Sequence, residues 1–394
     1  MNFLARARGG TATLLAFGAM LGGANLAHAQ SPALDTIFSQ VTPSMRDRLF
    51  MRLNYIHATV KTSSGEAYDV TGPVVGKNDI RDFIGTGSGY TSIYNSDVNF
   101  TRKYYGSAAS AGLALEQALE RDAPTCARYA EGLGAPCDFR ARGQTTVGTL
   151  ALSAGYFLDD ARNWVIEAFL LAAPLSVDVK GDGPNSLAGE TIIKTKLLPP
   201  TVILSRYFGA KDDRLRPFFG MGGSYAIFFD TRATGTLNNY VGGVSGNDTT
   251  VSIKNALGFG PFAGFKFQID EDWHINLNVG KVRYKTDATL VTRNTVITND
   301  SAVLRDYGPN IVDAIQTGDA AILVGSNGGP PRAPANDPAG FAEGSIVPGV
   351  TAMMCDLATA KNNNVPTCNH GSFTRKQKTR LDNTLFMLSV GRSF

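Results

Sequence analysis

The chain has 394 residues, of which 18% are charged and 43 are glycine, and its formal net charge is +3. Average proteins contain about 25% charged residues and about 7% glycine, so this chain is poor in charge and rich in glycine. The small net charge, with no basic patch interleaved with aromatic residues, argues against nucleic acid as a partner. No run of about 20 apolar residues follows the N-terminus, which excludes a transmembrane helix from the mature chain.

The N-terminus has the pattern of a secretory signal peptide. Arg6 and Arg8 form a basic region, residues 11–26 are small and apolar, and Ala27-His28-Ala29 is an A-x-A cleavage site. The alternative is a membrane-anchoring helix, but the many small residues and the A-x-A end argue against it. We therefore predict a signal peptide over 1–29, a periplasmic segment over 30–45 and export of the mature protein.

Four cysteines lie in two close pairs, in CARYAEGLGAPC and CDLATAKNNNVPTC. An even number of cysteines in an exported chain favours disulfides, here Cys126–Cys137 and Cys355–Cys368. The crossed pairing and free thiols are the alternatives. Neither pair has the C-x-x-C spacing of zinc or thioredoxin-like sites, and no other ligand cluster occurs, so no metal is expected.

Eight segments between residues 46 and 394 alternate between apolar and small or polar residues, which predicts β-strands. Their connections alternate between tight polar turns and long loops, the longest being about 63–144 and 290–376. Loops of this size argue against a compact soluble domain, whereas bacterial membrane barrels combine short periplasmic turns with long extracellular loops. The predicted fold is an eight-stranded antiparallel transmembrane β-barrel with two long extracellular insertions.

The composition of the alternating faces agrees with a barrel in lipid. One face of each strand is apolar, and each segment supplies the roughly 9–11 residues that a spanning strand needs. Aromatic residues beside the short turns predict an interfacial girdle. Its members are Tyr156, Trp164, Tyr207, Phe208 and Trp273. A soluble β-sandwich with one aromatic-rich sheet is the alternative.

Several stretches resemble one family. LPPTVILSRYFG, RPFFGMGGSYAIFFD, IDEDWHINLNV and LDNTLFMLSVGRSF are similar to the outer membrane protein W (OmpW) family, and FMRLNYIHATVK resembles its first strand. The resemblance covers about 46–62, 145–294 and 377–394, and leaves out both long loops. It implies an outer-membrane barrel of a Gram-negative bacterium with a narrow, hydrophobic lumen that moves small hydrophobic molecules. The terminal Phe394 resembles the signal that the barrel-assembly machinery reads.

The faces opposite the apolar belt predict the lumen. Its periplasmic end is polar and charged, with Arg52, Glu167, Lys266 and His274, and the first three are candidates for one network that plugs the barrel. The outer half is apolar, with Ile56, Phe169, Leu171, Ile203, Phe262, Leu385 and Met387. Eight strands leave room only for side chains or one small ligand, so a wide aqueous pore is not expected. A purely structural role of the network is the alternative.

Three prolines bear on the barrel wall. Pro174 falls in the third strand, and Pro199 and Pro200 open the fourth. Proline cannot donate to a strand ladder, so missing hydrogen bonds between the outer halves of these strands would leave a lateral gap. An ordinary strand end above the membrane is the alternative.

The function predicted from these patterns is a narrow channel for uptake of small hydrophobic molecules, with lateral release into the membrane. The alternative is a structural or interaction barrel that displays disulfide-pinned loops for a receptor or adhesion role. No G-x-S-x-G or H-E-x-x-H motif occurs, so we expect neither an enzyme nor a cofactor. The expected partners are outer-membrane lipids and lipopolysaccharide, small hydrophobic solutes, and the assembly machinery during biogenesis.

Overall fold

The computed structural model describes residues 47–86, 115–298, 301–314, 350–363 and 365–394. The chain divides into two compact units, Met1–Leu49 with Phe394, and Phe50–Ser393. In the first unit the backbone N–H of Phe394 donates to the carbonyl of Leu49 at 3.2 Å. The predicted signal peptide (1–29) and periplasmic segment (30–45) lie outside the described residues. All that follows concerns the second unit.

The second unit is built on β-strands, most of which alternate between buried and exposed residues. The strands are β1 (Leu49–Ser64), β2 (Tyr68–Asp69), β3 (Val75–Gly76), β4 (Gly132–Leu133), β5 (Arg140–Phe157), β6 (Trp164–Leu171), β7 (Leu175–Asp182), β8 (Thr191–Leu198), β9 (Thr201–Tyr207), β10 (Leu215–Ala233), β11 (Thr249–Ile253), β12 (Ala256–Gln268), β13 (Trp273–Thr292) and β14 (Phe373–Ser393).

Eight of these strands close into a ring in the order β1, β14, β13, β12, β10, β9, β6, β5 and back to β1. A closed ring suits a lipid bilayer, because the edge of an open sheet would leave backbone N–H and C=O groups without hydrogen bonds in the lipid. The first and last strands meet along most of their length, from Phe50 opposite Ser393 to Ser64 opposite Thr379. The sequence prediction of an eight-stranded antiparallel barrel is confirmed.

The third and fourth barrel strands are each broken in two. The third consists of β6 and β7, with Pro174 between them, and the fourth of β8 and β9, with Pro199 and Pro200 between them. Pairing of the inner pieces ends at Phe169 opposite Thr201, and pairing of the outer pieces begins at Leu175 opposite Leu197. The outer halves of these two strands are therefore paired, and the missing hydrogen bonds expected between them are confined to the short breaks at the prolines.

The longer interruption of the ladder lies between the second and third barrel strands. β5 pairs with β6 from Ala151 to Phe157, and with β7 only from Arg140 to Arg142. Over 143–150 the described contacts with the third strand are sparse: Ala172 N–H donates to the Leu150 carbonyl, and Asp178 N–H to Thr145 Oγ1 at 3.4 Å. This stretch of wall is held by few backbone hydrogen bonds.

The strands are much longer than the membrane requires. β13 has 20 residues and β14 has 21, about twice the 9–11 that span a bilayer. On β13 the outward residues run from Trp273 through Leu277 and Val279 to Lys281, Arg283 and Lys285, so the outer face changes from apolar to charged. The outer part of the wall thus presents a surface suited to water.

The connections outside the ring contain the helices. They are α1 (Lys77–Thr86), the 3₁₀ helix Ala127–Glu131, α2 (Gly235–Tyr240), α3 (Ala302–Arg305) and α4 (Val350–Lys361), and residues 115–122 and 309–314 are also helical. Among the described residues no helix is long and apolar enough to cross a membrane. The long connections follow β1 and β13, at residues 65–139 and 293–372, slightly shorter than predicted because the strands extend further.

Candidate functional site

The periplasmic end of the lumen is closed by an aromatic floor. It is a buried cluster of Phe50, Phe157, Val165, Tyr207 and Phe218. The rings of Phe50 and Phe157 lie 5.2 Å apart, and those of Tyr207 and Phe218 stack at 4.7 Å. The prediction that Tyr207 belongs to the lipid-facing girdle is wrong, since it is buried in the lumen. Strand alternation starting from exposed Phe208 would have placed it inside.

Above this floor Arg52 is the centre of a buried polar cluster. Its Nη1 donates to Glu167 Oε2 at 2.5 Å, its Nε to His274 Nε2 at 3.0 Å and its Nη2 to the Tyr207 hydroxyl at 3.4 Å. The Arg52 side chain is 1% exposed and that of Glu167 12%. The guanidinium also lies 4.1 Å from the Phe50 ring centroid. Charge, hydrogen bonds and an aromatic face together compensate its burial.

Glu167 is held by a second group of polar side chains. Ser153 donates to Glu167 Oε1 at 2.7 Å, Asn54 donates to Ser153 Oγ at 3.0 Å, and Ser389 donates to the Asn54 amide oxygen at 2.6 Å. These residues come from β1, β5, β6 and β14, so the cluster ties four strands together. Asn54, Ser153 and Ser389 are absent from the residues predicted for the plug, because short uncharged side chains on a strand give no distinct signal.

Lys266 takes a different place from the one predicted. It is buried, but no described hydrogen bond or ion pair joins it to Arg52 or Glu167. Its ammonium group lies 5.6 Å from the Phe157 ring centroid, a cation–π distance. The network therefore contains Arg52, Glu167 and His274, with Lys266 beside it on the aromatic floor.

The outer half of the lumen is filled by an apolar column. All seven residues predicted for the apolar path are buried and belong to one hydrophobic cluster. They are Ile56, Phe169, Leu171, Ile203, Phe262, Leu385 and Met387. A Cβ atom at Gly222 or Gly280 would come within 2.3 Å of the Phe262 ring, so these two glycines form the slot that admits it.

The long connections build an extracellular cap with its own core. Its buried residues come from both insertions and include Ile80, Leu119, Tyr129, Tyr307 and Leu357. The disulfides Cys126–Cys137 and Cys355–Cys368 are both formed, with Cα atoms 6.2 and 4.0 Å apart. Each bond links residues close in sequence, so it stiffens one part of the cap.

Buried polar groups also hold the cap. Arg375 of β14 and Asp69 of β2 form an ion pair at 3.0 Å, with side chains 3% and 11% exposed. The Tyr307 hydroxyl donates to the Gly134 carbonyl, and burial raises the pKa of that hydroxyl well above its usual value. The pKa of His370 is lowered to about 4, mainly because the side chain is buried and to a smaller extent because the Lys361 ammonium lies near it.

Little space separates cap and column. A cavity of about 10 Å³ lies among Val74, Phe139, Tyr240 and Arg375. Such a volume holds about one water molecule. Among the described residues, the cap therefore lies directly above the apolar column, with this small cavity between them, and the polar cluster lies below it.

Other predicted residues stay without a tested role. Pro174 is exposed, Pro199 is buried and Phe394 is exposed. Within the described part of the chain, no three His, Cys, Asp or Glu side chains are grouped to bind a metal. That the protein is not an enzyme and needs no cofactor stays a prediction.

Parts of the chain are similar to known outer membrane proteins. Residues 126–304 match the model of the OmpW family. Outer membrane protein W of Vibrio cholerae serotype O1 is 29% identical over 140 residues, which cover 36% of this chain and 60% of that protein. Outer membrane protein W of Escherichia coli K12 is 31% identical over 91 residues, covering 23% and 40%. The matches thus span about half the length of these relatives.

Two solved outer membrane proteins align with most of the chain. OprG from Pseudomonas aeruginosa aligns with a TM-score of 0.42 and 15% identity, covering 88% of this chain and 96% of that one. AlkL in DMPC lipid bilayers aligns with a TM-score of 0.36 and 11% identity, covering 88% and 90%. With its closed ring of eight strands and the match over 126–304, the chain is similar to the OmpW family, whose matched members are outer membrane proteins of Gram-negative bacteria.

Proposed function

We propose that this protein is a narrow conduit through which small hydrophobic molecules enter the outer membrane and leave sideways through the barrel wall. The observation that carries the proposal is the division of the lumen. An apolar column lies on a sealed polar cluster, next to a stretch of wall with few backbone hydrogen bonds.

The polar cluster blocks the direct route to the periplasm. An apolar solute that reached Arg52 would have to displace Glu167 or His274 and leave a buried charge without its partners, which costs several kcal/mol. Below lies the aromatic floor. For a solute already in the column, the bilayer offers an apolar environment without that cost.

The wall supplies the exit. Residues 143–150 of β5, which have few backbone hydrogen bonds to the third strand, lie beside the break at Pro174. Regular pairing begins again where Ala151 of β5 lies opposite Leu171 of β6. Val147 on β5 and Leu171 on β6 both pack on the apolar column. Parting β5 and β7 here breaks few hydrogen bonds and joins the column to the lipid.

Entry requires side chains to move, because the column is filled in this structure. Phe262 and Phe169 are its bulkiest residues in mid-barrel, and each touches the buried apolar cluster. A solute that replaces their contacts with equivalent apolar contacts loses little free energy. Small, apolar and uncharged molecules are therefore the expected cargo.

The test compares two cross-linked variants in liposomes. Cysteines at Thr146 and Ser176 are joined by a short bifunctional reagent. Both positions are exposed, and the register of the paired stretches on either side places them opposite each other. The matched control joins cysteines at Ala168 and Val202, which are paired in the regular β6–β9 ladder. Uptake of an apolar fluorescent solute and of a small sugar is measured before and after the link.

We expect the protein to speed uptake of the apolar solute alone. The Thr146–Ser176 link should abolish this effect, and the Ala168–Val202 link should preserve it. Undiminished uptake in the first linked variant would refute the lateral exit. No enhancement by the unmodified protein would refute the conduit as a whole.

A specific observation favours the second candidate, a barrel that displays a surface for receptor or adhesion contacts. The cap has a separate hydrophobic core and two disulfides, more structure than a loop needs merely to connect strands. If liposome uptake is absent while the cap resists proteolysis, display becomes the better proposal.

A further inference from the structure

An unusual cluster of cations lies on the outer wall of the barrel, just outside its apolar belt. Lys285 of β13 stands directly opposite Arg380 of β14, and Lys378 follows two residues away on the same face. Like charges directly opposite each other destabilise a sheet.

The nearby acidic groups neutralise only part of this charge. Six outward cations come from three adjacent strands: Lys61, Lys281, Arg283, Lys285, Lys378 and Arg380. Two carboxylates lie among them. Asp382 contacts Arg283 Nε at 3.5 Å and Arg380 Nε at 3.4 Å, and Asp287 stands opposite Lys378. The cluster keeps a clear positive excess.

Three of these six cations line a groove. It has a volume of about 470 Å³ and is formed where β1 ends, by Ser63, Ser64 and Gly65, together with Lys285, Lys378 and Arg380. Hydroxyl groups and three cations thus meet on one concave surface, with Asp287 as the carboxylate in its lining, so the groove keeps an excess of cations that suits phosphate oxygens.

An apolar surface adjoins this groove on the neighbouring strand. Phe259 of β12 stands opposite Arg283, and Phe259 and Leu257 are 63% and 64% exposed. Acyl chains covering these side chains would bring a lipid headgroup to the level of the cations. The surface therefore fits a molecule that carries phosphate and acyl chains together.

We propose that the wall formed by β13, β14 and the end of β1 binds the phosphorylated glucosamine headgroup of lipopolysaccharide. Lys285, Lys378 and Arg380 contact a phosphate in the groove, and the acyl chains lie on Phe259 and Leu257. The outer leaflet that surrounds this part of an outer-membrane barrel supplies that lipid. The site is separate from the lumen and does not depend on the proposed conduit.

Native mass spectrometry of the detergent-solubilised barrel tests the site. The probes are diphosphorylated lipid A, its fully dephosphorylated form, phosphatidylglycerol and inorganic phosphate. The test variant carries Lys285→Gln, Lys378→Gln and Arg380→Gln. The matched control carries Arg142→Gln, Lys180→Gln and Lys194→Gln, three exposed cations of β5, β7 and β8, so both lose the same charge.

We expect the protein to retain diphosphorylated lipid A in preference to the other probes. The test variant should lose affinity roughly 100-fold, since each cation near an anionic lipid contributes about fivefold. The control should change less than about threefold, because its cations lie outside the groove. Equal losses in both variants, equal retention of the dephosphorylated lipid or phosphatidylglycerol, or full competition by inorganic phosphate would overturn the proposal.

A second variant keeps the test decisive if the triple substitution impairs folding. Asp287→Asn removes a carboxylate that stands opposite Lys378, so it should raise the affinity for diphosphorylated lipid A about fivefold. A decrease or no change with this variant would contradict the electrostatic basis of the site.

Discussion

The lower lumen and the extracellular cap are both closed, but by different chemistry. The lower lumen is sealed by Arg52, Glu167 and their hydrogen-bond partners, so its closure depends on a few strong contacts between fixed strands. The cap is closed by apolar packing between two insertions, supported by disulfides. Loss of one partner in the polar cluster leaves a buried charge unpaired, which costs several kcal/mol. In apolar packing, by contrast, one contact can replace another at little cost in free energy. This difference favours solute movement in the upper part of the molecule.

The strongest test of the polar seal is Glu167→Ala. It leaves Arg52 buried without its carboxylate, and the free energy of unfolding should fall by about 3–5 kcal/mol. Urea unfolding in detergent micelles, followed by tryptophan fluorescence, measures it. The control Arg392→Gln removes an ion pair with Asp272 in which both side chains are 53% exposed, and should change stability by less than about 1 kcal/mol. Equal effects would mean that the cluster does not seal the barrel.

Phe262→Ala tests the apolar column. Removing the ring leaves a cavity beside Gly222 and Gly280, and we expect a loss of about 3–4 kcal/mol together with faster uptake of an apolar solute. Phe259→Ala on the same strand removes an exposed ring and serves as the control. Unchanged uptake despite the loss of stability would show that Phe262 does not limit passage.

The pH dependence of the cap sharpens the comparison. The pKa of His370 is about 4 in the fold and about 6.5 when the side chain is exposed, so the unfolded cap binds a proton first as the pH falls. Stability should be constant above pH about 6.5 and decrease by up to about 3 kcal/mol as the pH approaches 4. Hydrogen exchange of 350–363, corrected for the intrinsic effect of pH, measures it. His370→Asn should remove most of this dependence, and an unchanged profile in that variant would exclude His370 as its source.

The disulfide Cys126–Cys137 should have the smallest of these effects, and one confined to the cap. Replacing both cysteines by serine should destabilise the cap by about 2–3 kcal/mol, as expected for a bond that closes a short loop. Limited proteolysis should then cleave 115–139 faster, while the barrel keeps its urea midpoint. A lower midpoint for the barrel would mean that cap and wall unfold together.

The barrel could be predicted from the sequence because its constraints are local. Alternation at positions such as Leu277 and Val279, tight turns and long insertions all follow from a strand facing lipid on one side. Burial of the seven apolar lumen residues has the same origin. Contacts inside the lumen depend on the register between distant strands. Pattern alone therefore did not single out Tyr207 as a partner of Arg52 or Ser153 as a partner of Glu167, and it wrongly placed Lys266 in their network.

The wall shows the same limit. A proline in a strand predicts that backbone hydrogen bonds to a neighbouring strand are missing. Which of the two neighbours loses these bonds depends on where the strand pairs again after the proline. Pairing of Leu175 with Leu197 closes one side of the third strand and leaves 143–150 of β5 with few bonds on the other. The sequence alone could therefore locate the break in the third strand, but it could not show which neighbouring strand loses hydrogen bonds there.

The change from Val279 to Lys281 on the outer face of β13 also fixes the depth of the barrel in the bilayer. Sinking by two residues, about 7 Å along the strand, would carry Lys281 and its neighbours into hydrocarbon. Each lysine or arginine costs up to about 1 kcal/mol near the interface and about 2–4 kcal/mol at the midplane. Rising by the same amount would expose Leu277 and Val279 to water. The outer face of the wall thus fixes the depth of the barrel in the bilayer. The same residues oppose a tilt of the barrel, since a tilt would lower some of the cations into hydrocarbon.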